Sequence, residues 1–110
     1  MLIDYWATWC PPCLAMMPDV KSTYQELQPQ GFEIVGISCD DDKAKLERFL
    51  AREKVPWPQY FDTNGRENQF AKAFDVRILP TMWLVDKNGL LRHLNAGNNL
   101  GEKVKALLAG

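Results

Sequence analysis

The chain opens on a short apolar and aromatic run, Leu2 to Trp6, which reads as a buried strand beginning almost at the first residue. After a short loop, Pro11 and Pro12 suit the first turn of a helix, where a missing N–H costs nothing, and Val20, Tyr24 and Leu27 recur behind them at helical spacing. Pro18 falls inside that helix. It removes a backbone hydrogen bond and crowds the preceding turn, so a kink is expected near Met17. The helix is expected to end near Pro29-Gln30-Gly31.

Phe32 to Cys39 (FEIVGISC) predicts a second strand, and Asp40-Asp41-Asp42 follows with negative charge suited to a helix N-terminus. Leu46, Phe49 and Leu50 give that helix its apolar face, with Pro56 and Pro58 as its terminators. Gln59-Tyr60-Phe61 reads as a short strand before a Thr63-Asn64-Gly65 turn, and a short helix carrying Phe70 and Phe74 comes next. Thr81 to Val85 and Leu90 to Leu94 flank Asp86-Lys87-Asn88-Gly89, a hairpin signal that makes these two strands antiparallel. The last helix is expected to start near Asn99, with Glu102 completing a capping box, and to bury Val104, Leu107 and Leu108. This order of elements predicts an α/β sandwich, a mixed sheet covered on both faces.

Composition narrows the reading. The 110 residues, 46% hydrophobic and 25% charged, fit one domain over 1–110 and leave no room for a second core. A formal net charge of -1, with both signs spread along the chain, provides no basic stripe for nucleic acid and no polybasic patch for a membrane surface. No apolar run reaches the roughly 18 residues of a membrane span, and a signal-peptide pattern is not visible, so targeting leaves the compartment open. Three cysteines are too few for a disulfide scaffold.

Two of them carry the chemistry. Trp9-Cys10-Pro11-Pro12-Cys13 follows a strand and opens a helix, which places Cys10 where oriented N–H groups favour a thiolate and Cys13 one turn further in. Cys10 is expected to be exposed and Cys13 shielded. The functional reading is a redox dithiol; the alternatives are half of a zinc site or an inert bridge. Zinc normally takes four ligands, and the other Cys and His residues, Cys39 and His93, do not form a second paired motif. No metal or other cofactor is expected beyond the Cys10–Cys13 disulfide itself.

The segment Asp4-Tyr5-Trp6-Ala7-Thr8-Trp9-Cys10-Pro11-Pro12-Cys13 resembles the active-site segment of the thioredoxin superfamily, and more closely the TlpA/ResA-like thiol-disulfide oxidoreductases. The tryparedoxin and nucleoredoxin branch, which also uses a Pro-Pro dipeptide, is a near relative. Pro18 falls where that family kinks its first helix, Ile78-Leu79-Pro80-Thr81 resembles its cis-proline loop, and Ala96-Gly97 resembles the small loop facing the same site. Asp41 to about Phe74 resembles the central insertion that separates TlpA-like proteins from plain thioredoxin. The resemblance implies a thioredoxin-like three-layer α/β/α sandwich with about five strands and a truncated N-terminus, from an excised domain or a chain trimmed of its leader. It also implies residence in the bacterial periplasm or another extracytoplasmic space, with the cytoplasm as the alternative.

Asp4 alternates with Leu2 and Trp6 and so shares an apolar strand face, where desolvation should raise its pKa towards neutrality. By the resemblance it matches a thioredoxin aspartate that serves the buried cysteine, whereas TlpA/ResA-like proteins often carry Asn there. The glutamate that ResA-like members place three residues after the second cysteine is Met16 here. Pro80 is expected to form a cis peptide beside the dithiol, leaving the Leu79 backbone, just ahead of Thr81, free to pair with an extended substrate segment. Trp9, Pro11, Pro12, Leu79 and Ala96, with Gly97 behind, are expected to form an apolar rim suited to docking protein disulfides. Cys39 reads as a small core residue and His93 as strand surface; a copper role like that of the Sco proteins fails on cysteine spacing. Trp57, Tyr60 and Trp83 read as packing.

The expected reaction is attack by the Cys10 thiolate on a substrate disulfide, resolution by Cys13, and proton transfer assisted by Asp4. Pro11 and Pro12 lack N–H donors, so a reducing dithiol is expected. The partners are a protein disulfide or dithiol and an upstream redox partner, with the chain as a monomer. A peroxiredoxin-like thiol peroxidase is the alternative enzyme, although Thr8 lies two residues before Cys10 where those enzymes place Thr or Ser three before. A dithiol binding module without turnover is the alternative outside catalysis.

Overall fold

Strands and helices alternate as the pattern predicts, and the computed structural model describes all 110 residues. Strand β1 is Leu2–Trp6, helix α1 Pro11–Leu27, strand β2 Ile34–Ser38, helix α2 Lys43–Arg52 and strand β3 Gln59–Tyr60; α3 is Gln69–Ala73, β4 Thr81–Val85, β5 Leu91–His93 and α4 Leu100–Ala109. The sheet order is β3-β2-β1-β4-β5. β1 runs parallel to β2, and β2 to β3, while β4 is antiparallel to both β1 and β5, so the sheet is mixed.

Local chemistry accounts for most boundaries. α1 begins with its two prolines in the first turn, continues without a break through the exposed Pro18, and gives way to a 3-10 turn that closes at Gly31 with φ 101°. Asp42 caps α2, its Oδ1 accepting the Lys45 N–H at 3.1 Å. That helix stops before the prolines expected to end it, because Lys54 adopts a left-handed φ of 52°. In the β4–β5 hairpin, the Asp86 carboxylate accepts the N–H groups of Asn88 at 2.9 Å and Leu90 at 3.0 Å.

The capping box expected at α4 is absent. Asn99 sits at φ 55° and ψ 42°, a left-handed conformation from which its side chain makes no capping hydrogen bond. Leu100 and Val104 are the buried residues of that helix, and Leu107 and Leu108 are only half-buried.

The two sheet faces are covered unequally. Leu2, Trp6, Ile34 and Leu84 pack with Met17 and Val20 of α1, Leu46 and Phe49 of α2, and Leu100 and Val104 of α4 in one large core. On the opposite face Tyr5 and Ile37 meet Ala71 of the five-residue α3, with Ile3, Tyr60 and Trp83 only partly buried. A groove of about 340 Å³ lined entirely by apolar residues remains there.

Candidate active site

Strand direction assembles the site. β1 pairs Trp6 with Ser38 at the end of β2, and Tyr5 with Thr81 at the start of β4, so the loops after β1 and β2 and the loop before β4 emerge at one end of the sheet. Parallel α/β sheets present their functional loops at this carboxyl end.

The loop after β1 carries the cysteines. Cys10 stands at the N-cap of α1, where its Sγ accepts the Cys13 N–H at 3.3 Å, and the two sulfurs are joined in a disulfide with the Cα atoms 5.3 Å apart. Cys10 is therefore not the exposed member of the pair: each cysteine residue is only 4% exposed, and both pack in the large core.

Asp4 lies on the face that α1 covers, between Gly36 and Met82 of the flanking strands. It is buried, its Oδ1 has no hydrogen-bond partner, and burial pushes its pKa up from 3.8 to about 7. The carboxyl group is thus poised to hold or release a proton near neutrality.

The Leu79–Pro80 peptide is cis, and Leu79, Pro80 and Thr81 are half-buried where β4 begins beside β1. Trp9, Pro11 and Pro12 are exposed. Ala96 and Gly97 are buried: the Ala96 N–H reaches Met82 O at 2.8 Å, and a Cβ on Gly97 would run into the Met16 methyl group and meet Met82 Sδ at 2.9 Å. Ala96 and Gly97 are therefore buried rather than surface residues, and Ile78, next to Leu79 in sequence, is 76% exposed.

Asp40 and Arg66 were not anticipated as neighbours of this loop. Asp40 accepts hydrogen bonds from Thr8, and the Arg66 guanidinium lies over the Trp9 ring, 5.0 Å from its centroid. The signal for Asp40 was hidden in an acidic triplet that reads as helix-terminus charge; Arg66 had no sequence signal. Cys39 is buried, and burial raises its thiol pKa, opposed by the hydrogen bond from Asn68 Nδ2 at 3.3 Å. No group of three or more His, Cys, Asp or Glu side chains comes together as a set of metal donors. No helix is long and apolar enough to cross a membrane.

The family model described as Redoxin matches residues 1–109. The thiol-disulfide oxidoreductase ResA of Geobacillus thermodenitrificans is 33% identical over 105 residues, covering 96% of this chain and 59% of the relative. ResA of Bacillus subtilis is 32% identical over 89 residues, covering 81% and 48%. The chain therefore spans less than two thirds of the length of these curated relatives. Among solved structures, a thiol-disulfide oxidoreductase from Bacteroides fragilis superposes with a TM-score of 0.84 at 27% identity, covering 96% of this chain and 79% of that one. A thioredoxin-like protein from Bacteroides vulgatus superposes with a TM-score of 0.82 at 29% identity, covering 99% and 71%. The fold is thioredoxin-like.

Proposed function

The chain belongs to the Redoxin family, and on that premise we propose that it is a single thioredoxin-like domain, residues 1–110, which reduces protein disulfides through Cys10 and Cys13. The observation that carries this reading is the Cys10–Cys13 pair at the N-terminus of α1, on the sheet face that also buries the unpartnered Asp4 carboxyl.

The reduced protein begins the cycle. The Cys10 thiolate attacks one sulfur of a substrate disulfide, forming a Cys10–substrate bond and expelling the other substrate sulfur, which takes up a proton. Cys13 then passes its proton to Asp4, whose raised pKa leaves part of the population ionised near pH 7, and attacks the Cys10 sulfur. The second substrate sulfur departs as a thiolate and takes up a proton, the substrate has gained two electrons and two protons, and Cys10–Cys13 is a disulfide again. An upstream dithiol partner returns the two electrons. Helix dipole and the Cys13 N–H support the Cys10 thiolate, while Pro11 and Pro12 donate nothing, which favours a reducing dithiol.

Trp9, Pro11, Pro12 and Leu79 form the docking rim, with Pro80, Thr81 and Gly97 shaping it from below, and an extended substrate segment pairs with the Leu79 backbone. The resemblance to TlpA/ResA-like proteins supports an extracytoplasmic setting.

Reduction of insulin disulfides tests the reading. The wild type should turn over with a thiol donor and Cys10→Ser should not. Binding of partners without turnover would favour the binding module, and turnover of peroxide alone would favour the peroxidase.

A further inference from the structure

Asp40 leaves the end of β2 with its carboxylate turned under the redox loop, 32 residues upstream in sequence, and is 2% exposed. Its Oδ1 accepts the Thr8 N–H at 3.0 Å and the Thr8 hydroxyl at 2.5 Å, and its Oδ2 accepts the Ser38 hydroxyl at 2.6 Å. The Ser38 oxygen in turn accepts the Asp40 N–H at 3.1 Å, which commits the hydroxyl proton to the carboxylate. Its hydrogen-bond partners, the Thr8 N–H and the Thr8 and Ser38 hydroxyls, all donate, an arrangement that suits a side chain able only to accept.

Thr8 lies within the turn closed by the Cys10 N–H on Ala7 O at 3.2 Å. The backbone from Ala7 to Cys10 is thus held at both the turn hydrogen bond and the Asp40 grip. We propose that Asp40 is a positioning residue for the dithiol: by holding Thr8 it sets the turn that delivers Cys10 Sγ to the Cys13 N–H. It touches neither cysteine and acts through Thr8. Where that delivery is lost, the Cys10 thiolate loses its backbone donor and forms less readily. Asn at this position would turn an NH₂ group towards one of the donors and break the set.

The consequence for catalysis rests on the reading of Cys10 as the attacking thiol, but the test does not need a disulfide substrate. The thiolate absorbance of Cys10 is titrated against pH in a Cys13→Ser, Cys39→Ala background, which retains the residue 13 N–H and removes the free thiol whose own titration Asp40 influences, with melting temperatures measured in parallel. Asp40→Asn and Thr8→Val should each raise the Cys10 midpoint by about one pH unit, a tenfold loss of thiolate at fixed pH below the midpoint. Thr8→Ser, which keeps the hydroxyl, should restore the midpoint. The sign separates the explanations. Removing a nearby negative charge by itself favours the thiolate and would lower the midpoint, and a purely structural role would lower melting temperature while leaving the midpoint unchanged. Either result overturns the proposal. If Asp40→Asn does not fold, Thr8→Val decides alone. Failure of the wild type to reduce insulin would defeat the oxidoreductase reading and leave this titration intact.

Discussion

The sulfur of Cys10 caps the helix that carries Cys13, accepting its backbone N–H at 3.3 Å from an extended backbone at φ -103° and ψ 101°. A hydroxyl can do the same and a methyl group cannot. In reducing buffer, Cys10→Ser should match the unfolding free energy of the reduced wild type, whereas Cys10→Ala should lose about 1 kcal/mol. Both should abolish insulin reduction. Equal stability of the two variants in urea titrations would show that the cap contributes nothing.

Asp4 makes stability fall as pH rises. Its folded pKa of about 7 stands above the 3.8 of an unperturbed carboxyl, so between these values the folded chain holds a proton that the unfolded chain releases. The contribution is complete below the unfolded value and is lost as pH rises through the folded one. The shift corresponds to a loss on the order of 4 kcal/mol between about pH 4 and pH 7. Asp4→Asn should remove that part of the slope and be the more stable protein at pH 8, as read from urea unfolding across the range. Identical slopes for the two proteins would contradict the buried, unpartnered carboxyl.

Gly36 and Gln59 are coupled through Trp6. The Trp6 indole N–H donates to Gln59 Oε1 at 2.8 Å, and a Cβ on Gly36 would meet Gln59 Cδ at 2.6 Å. Gly36→Ala can be accommodated only by moving Gln59 and leaving the indole N–H without its partner, at a cost of about 2 kcal/mol. Gln59→Ala should cost a similar amount for the same reason. The double variant should then lose little more than either single one, and strict additivity in a denaturation cycle would refute the coupling.

Cys39 should be inert in the folded protein. It is 1% exposed, and burial raises its thiol pKa, so iodoacetamide should label it only after denaturant is added, as located by mass spectrometry. Asn68 holds the surroundings together: its amide donates to Cys39 Sγ and, at 2.9 Å, to Gly65 O, while its Oδ1 accepts the Ala71 N–H at 2.9 Å. Asn68→Ala should therefore cost about 2 kcal/mol and open Cys39 to labelling under native conditions. Rapid labelling of Cys39 in the native wild type would contradict this account.

The legible features share a short range. β1, the Pro11-Pro12 start of α1, the hairpin around Asp86 and the dithiol at a helix N-terminus each depend on residues within a few positions, so periodicity and turn chemistry were enough to place them. Asp4 was legible as a buried carboxyl because strand alternation puts it with Leu2 and Trp6. The capping box at Asn99 failed because a left-handed backbone overrode a local motif.

What the chain order and residue types determined by themselves was a strand, a dithiol and a helix in sequence, with a carboxyl on the same strand face. Tertiary structure decided which aspartate of the acidic triplet does what: Asp42 caps α2, while Asp40, two residues away, reaches back to Thr8 across the end of the sheet. It also decided that α1, α2 and α4 share one face and leave α3 on the other, and that Ala96 and Gly97 are buried. The reason is physical. Caps and turns are satisfied by neighbours along the chain, whereas a buried acceptor takes its donors from whatever strand pairing brings beside it, and that pairing is a property of the whole sheet.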